Sequence, residues 1–184
     1  MGKRLRISAP FSCRAYMIRV LTTGNHFGSG ITPLGGASVR ANWTSPHCAD
    51  WVAVLQEAIV TSDAPVILIA HSLGCCLVAH WALRHKGLVR GALFVAPPDI
   101  GAPTFPAQVA GFAPTPLMRL PFPSTVVASA NDPFCSIARV EYFAEHWGAR
   151  LTVLGPLGHI NDRSGLGTWP AGIELVAELT CGAH

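Results

Sequence analysis

The sequence predicts an open, doubly wound α/β sheet, mostly parallel, with helices on both faces. Three observations carry that expectation. Short β-branched runs alternate with helix-length segments along most of the chain. The run Val66–Ala70 is apolar throughout, as in a strand buried on both faces. Strands separated by helices of ten or more residues imply parallel crossovers, because no tight turn can join parallel neighbours. Sheets of this kind bind ligands beyond the carboxyl ends of their strands.

Each element follows from local pattern. Ala15–Leu21 reads as a first strand running into the turn signal Thr22-Thr23-Gly24-Asn25, and Ser38–Asn42 as a short second strand. Ala49–Val60 sets Trp51, Val54, Leu55, Ala58 and Ile59 at helical spacing, with Asp50 near the N-terminus. After Val66–Ala70, Leu73–Arg84 is a helix apolar on nearly every side, and therefore buried. Gly91–Ala96 is a strand ended by Pro97-Pro98. Prolines 97, 98, 103, 106, 114, 116, 121 and 123 then make residues 97–123 a long loop or broken cap. This irregular segment is the expected specificity surface. Thr125–Ala130 is the next strand, Ile137–Trp147 a helix, Arg150–Leu154 the last strand and Gly172–Leu179 a closing helix.

Composition narrows the function classes. The 184 residues are 50% hydrophobic and 12% charged, against a usual charged share near 25%. One domain spanning 1–184 is expected, with a core large enough to need no staples. No stretch approaches the roughly 18 apolar residues of a bilayer span, so no membrane partner is expected. The net charge is +3, and residues 1–49 carry six cations and no acid. Those cations are scattered, which argues against nucleic-acid binding. Cys13, Cys48, Cys75, Cys76, Cys135 and Cys181 form no C-x-x-C pair. Reduced thiols in a cytoplasm, with no metal site, are the expectation. Vicinal Cys75 and Cys76 read as small hydrophobes.

One motif stands where chemistry is expected. Ala70-His71-Ser72-Leu73-Gly74 joins the most apolar strand to the most apolar helix. This is the G-x-S-x-G pattern with alanine in its first position. A serine on so tight a turn needs small neighbours, or its strained backbone collides with the adjoining strand and helix. It then presents an exposed hydroxyl at a helix N-terminus, where the amide of Leu73 is an oxyanion donor. The alternative is that Ser72 only caps the helix. A nucleophilic serine needs a base and an acid to orient it. Asp132 and His159 lie past the ends of the later strands, in the order Ser, Asp, His. Asp99 is the runner-up acid. His71 is read as facing the core or strand side of the turn, too near Ser72 in sequence to act as its base. His80, His85 and His146 are read as structural or surface, and Asp162 as a turn cap.

Four motifs together carry a resemblance. They are Ile69-Ala70-His71-Ser72-Leu73-Gly74, Phe94-Val95-Ala96-Pro97-Pro98-Asp99, Ala128-Ser129-Ala130-Asn131-Asp132-Pro133 and Gly158-His159-Ile160-Asn161. From Trp43 to Leu179 the chain resembles the small serine-hydrolase family of the retinoblastoma-binding serine hydrolase and its bacterial relatives. The resemblance implies a minimal α/β-hydrolase fold with little or no lid. It implies Ser72 as nucleophile, His159 as general base and Asp132 as the orienting acid, without cofactor or metal. Implied substrates are small-molecule carboxylic esters or amides, cleaved through an acyl-enzyme. The sequence does not identify a protein partner.

Residues 1–42 depart from the family pattern. Thr23-Gly24-Asn25 can be matched to the family's oxyanion turn, and the resemblance then implies the backbone of Asn25 or His26 as the second oxyanion donor. The expected His-Trp stretch and amphipathic helix do not follow. Glycines 24, 28, 30, 35 and 36 predict a mobile or irregular loop across Gly24–Gly36 in place of a helix, because ordering them costs entropy that little apolar burial offsets. A divergent segment, or one read in an altered frame, accounts for this and for the acid-free charge pattern. The rival reading is a hydrolase-fold binding protein with an impaired site.

Overall fold

The computed structural model describes residues 17–23, 31–33, 46–103, 105 and 109–181. Among them the order is β1 (Met17–Thr23), β2 (Ile31–Pro33), α1 (Cys48–Val60), β3 (Val66–His71), α2 (Leu73–Arg84), β4 (Val89–Val95), β5 (Ser124–Ser129), α3 (Ile137–Trp147), β6 (Arg150–Leu154) and α4 (Pro170–Cys181), with a short 3-10 turn at Asp162–Ser164. The sheet order is β2-β1-β3-β4-β5-β6. Strands β3 to β6 are parallel, while β1 runs antiparallel to both β2 and β3.

Strand parity sorts the core into two layers, since successive side chains point to opposite faces. Val66, Leu68, Ala70, Ala92, Phe94, Val126 and Ala128 face α1, α2 and α3. Ile67, Leu93, Val95 and Val127 face the other way, toward Val176 and Leu179 of α4. Helices therefore cover both faces. Phe94 lies 4.9 Å from Trp147 between ring centroids, and truncating so buried an aromatic to alanine costs about 3–5 kcal/mol.

Helix α1 buries Cys48, Trp51, Val52, Leu55 and Ile59. Val54, expected on the apolar stripe, turns outward instead and Val52 takes the inner place. Helix α2 has ten buried residues because it sits between the sheet and α1. Ser136 caps α3 by accepting the amide of Arg139, and Gly148 ends it at φ 65°. The proline-rich connection from Ala96 to Pro123 contains no helix or named strand among its described residues. It is pinned by burial of Ile100, Phe112, Leu120 and Phe122, and by Trp147 Nε1 donating to the Pro116 carbonyl.

The expected irregular loop across Gly24–Gly36 is corrected at Ile31–Pro33, which pairs with β1 as a strand. Ile31 and Thr32 are β-branched, and Pro33 is tolerated because β2 lies at the sheet edge. Asn25, the proposed strand at Ser38–Asn42 and most of that glycine-rich stretch lie outside the described residues. No described helix is long and apolar enough to cross a membrane.

Candidate active site

Ser72 occupies the turn between β3 and α2 with φ 55° and ψ −127°. A non-glycine residue held there stores about 1–3 kcal/mol of strain, which the surroundings must over-determine. They do so with two backbone bonds: Ser72 N–H donates to Val95 at 3.0 Å, and Cys75 N–H donates to Ser72 at 2.9 Å. Ala70 and Gly74, the small residues flanking this turn, are both buried. Ser72 stands at the N-cap position, yet its side chain makes no capping hydrogen bond.

The hydroxyl points elsewhere. Ser72 Oγ lies 2.8 Å from Nε2 of His159, and Nδ1 of His159 lies 3.0 and 2.9 Å from the two carboxylate oxygens of Asp132. The carboxylate can only accept, so Nδ1 carries the proton and Nε2 is free to accept from the serine. The side chains of His159 and Asp132 are 9% and 4% exposed. Ser72 is 4% exposed, not the open hydroxyl anticipated, because the His159 ring lies against it.

Each group comes from a strand end. Ser72 follows β3, Asp132 follows β5 and His159 follows β6. The loops that carry Asp132 and His159 are tied together. Ser129 Oγ accepts the amide of Leu157 at 2.9 Å, and Asn131 Oδ1 accepts the amide of Gly158 at 2.7 Å. Ser164 closes the far side by donating to the Leu157 carbonyl. Phe134 packs edge-on against the His159 ring at 4.6 Å while remaining 44% exposed.

The other sequence candidates are occupied elsewhere. Asp99 Oδ2 lies 3.3 Å from Arg139 Nε, an ion pair without hydrogen-bond alignment, and its Oδ1 accepts the amide of Gly101. His80 Nε2–H donates to the Phe112 carbonyl, His85 stacks on Trp81 and His146 bonds its own helix. Asn161, not Asp162, caps the 3-10 turn. The ring of His71, read from sequence as facing the core or strand side of the turn, lies 4.9 Å from that of His159. Burial pushes its pKa down to about 4. The amide of Leu73, the first residue of α2, lies in the helical turn whose N–H groups lack intrahelical acceptors. Among the described residues no group of three His, Cys, Asp or Glu side chains could hold a metal ion.

Residues 36–178 match the family model described as serine hydrolase. The chain belongs to the serine hydrolase family. Among solved structures, this serine hydrolase is similar to a YdeN-like hydrolase from Pectobacterium atrosepticum. That pair is 28% identical with a TM-score of 0.66, covering 76% of this chain and 72% of the other. The ydeN gene product of B. subtilis gives 19% identity and a TM-score of 0.63 over 76% and 78% of the two chains. A protein described as the non-heme bromoperoxidase BpoC from Mycobacterium tuberculosis gives 14% and 0.59 over 78% of each. The last two likenesses show the fold alone. No curated protein matches the chain. Four parallel strands with helices on both faces, and these neighbours, establish a minimal α/β-hydrolase fold for the serine hydrolase.

Proposed function

We propose that this serine hydrolase cleaves small carboxylic esters or amides through Ser72, His159 and Asp132, by way of an acyl-enzyme. One observation carries the reading: the His159 ring is bonded at one nitrogen to Ser72 and at the other to Asp132. Ser72 Oγ attacks the acyl carbon while Nε2 of His159 takes its proton. Asp132 holds the imidazole in the required tautomer and stabilises the cation that forms. The Leu73 amide stabilises the oxyanion, and the family resemblance suggests the backbone of Asn25 or His26 for the second donor, each such donor being worth about 10²–10³ in rate. His159 then protonates the leaving alcohol or amine. Water enters, loses a proton to the same nitrogen and releases the acid.

The resemblance of the four sequence motifs to the retinoblastoma-binding serine hydrolase group supports the same roles. Phe134 supplies an apolar wall beside the base and favours substrates with an apolar group there. The buried free thiols Cys48, Cys75, Cys76 and Cys135 support a reducing, cytoplasmic setting. A fluorophosphonate probe tests the reading. Labelling of the wild-type protein, lost in Ser72→Ala, is expected. Folded wild-type protein that resists the probe would instead favour the impaired binding protein. A series of p-nitrophenyl esters of rising acyl length then ranks substrates.

A further inference from the structure

His71 and Ser72 are consecutive, and both reach the same residue. Ser72 Oγ bonds the ring of His159, while Nε2–H of His71 donates to the His159 backbone carbonyl at 2.9 Å. A carbonyl can only accept, so His71 must carry its proton on Nε2. The bond fixes the peptide plane between His159 and Ile160. That plane leads into Ile160 at φ 44°, and Gly158 on the other side of the base sits at φ 60°. A β-branched residue in the left-handed region costs about 1–3 kcal/mol and persists only where its surroundings hold it. Left to itself, this stretch would relax and carry the imidazole away from Ser72.

We infer that His71 is a positioning residue: it clamps the backbone of the base to the turn that carries the nucleophile. The inference rests on the roles proposed above for Ser72 and His159. Leu157 and Gly158 are held by Ser129 at the end of β5 and by Asn131 in the loop after it. His71 holds the next residue from the nucleophile's own strand. Three successive residues of the base loop are thereby fixed from two directions, and the Ser72–His159 distance is set by a closed ring of bonds. The burial that keeps His71 neutral serves the same end, since a second cation 4.9 Å from the base would oppose the imidazolium formed in each step.

Two variants and one spectrum test this. His71→Gln keeps an N–H at a similar reach, whereas His71→Leu keeps only bulk. With a p-nitrophenyl ester, kcat of the leucine variant is expected to fall about 10²-fold with KM little changed, as for a displaced catalytic group. The glutamine variant should regain most of that loss. Equal activity in all three proteins, or equal losses in both variants, overturns the inference. The ¹⁵N spectrum of histidine-labelled wild-type protein near neutral pH reads the link without turnover. A neutral Nε2–H tautomer for His71 is expected, and an Nδ1–H tautomer overturns the clamp. Wild-type protein that no fluorophosphonate labels would sink the proposed triad, and the spectrum would still decide whether the clamp exists.

Discussion

The carboxylate of Asp132 bridges its own loop and the His159 ring. Oδ1 accepts the amide of Phe134 at 2.9 Å and lies 3.0 Å from Nδ1 of His159, while Oδ2 lies 2.9 Å from the same nitrogen. A backbone amide thus aims the oxygens before any substrate arrives. Asp132→Asn should therefore fold normally, because Oδ1 can still accept from Phe134. Ester turnover should fall by up to roughly 10⁴-fold, by analogy with the protease triad, since the amide group favours the wrong tautomer. Asp99→Asn is the control. Its ion pair with Arg139 is partly exposed, so stability should change by less than about 1 kcal/mol and kcat/KM by less than about threefold. Full activity in Asp132→Asn, or collapse in Asp99→Asn, would reassign the acid.

The base loop should be sensitive to residues that never meet substrate. Ser129 is 1% exposed and takes the Leu157 amide. Ser129→Ala strands that donor and should cost about 1–3 kcal/mol in urea unfolding. Asn131→Ala releases the amide of Gly158, which is only half-buried, from an exposed partner, so the loss of stability should be smaller. Both variants should lose kcat through displacement of His159. An unchanged urea midpoint for Ser129→Ala would show that the bond contributes nothing.

Stability should decline in mild acid for a reason separate from the carboxylates. Burial lowers the His71 pKa from 6.5 to about 4, and lowers that of His80 in the same direction. The unfolded chain then binds more protons than the folded one between those values, so stability rises with pH across the window. For His71 the loss on going from pH 7 to pH 4 is on the order of 3 kcal/mol. Subtracting the profile of His71→Gln from that of wild type isolates it. Parallel profiles would contradict the buried neutral ring.

Thiol chemistry should be slow. Burial raises the pKa of Cys48 to about 11 and of Cys76 and Cys135 to about 12, and pushes Cys75 well up. The thiolate is the reactive form, so these four should resist iodoacetamide at pH 8 in folded protein and react once it is denatured. Peptide mass mapping would reveal any that react early.

Sequence by itself determined what repeats locally. The bounds of α2, α3 and β6 follow from apolar periodicity and turn residues, and the three candidate catalytic side chains are legible because each sits just past an apolar run. Short elements against the local grain were not legible. Ile31 and Thr32 lie among glycines that argue for a loop, and only an edge place beside β1 makes them a strand. The inward turn of Val52 was likewise set by what α1 packs against. The tertiary structure alone decided which polar atoms meet. Asp99 and Asp132 both follow strands, and sequence spacing ranks them without separating them. What separates them is that Arg139 lies beside one and His159 beside the other. His71 shows the same limit: its partner is 88 residues away, and no periodicity encodes a hydrogen bond across that separation. Periodicity reports which face of an element is buried, whereas hydrogen-bond partners depend on how separate strand ends converge in space.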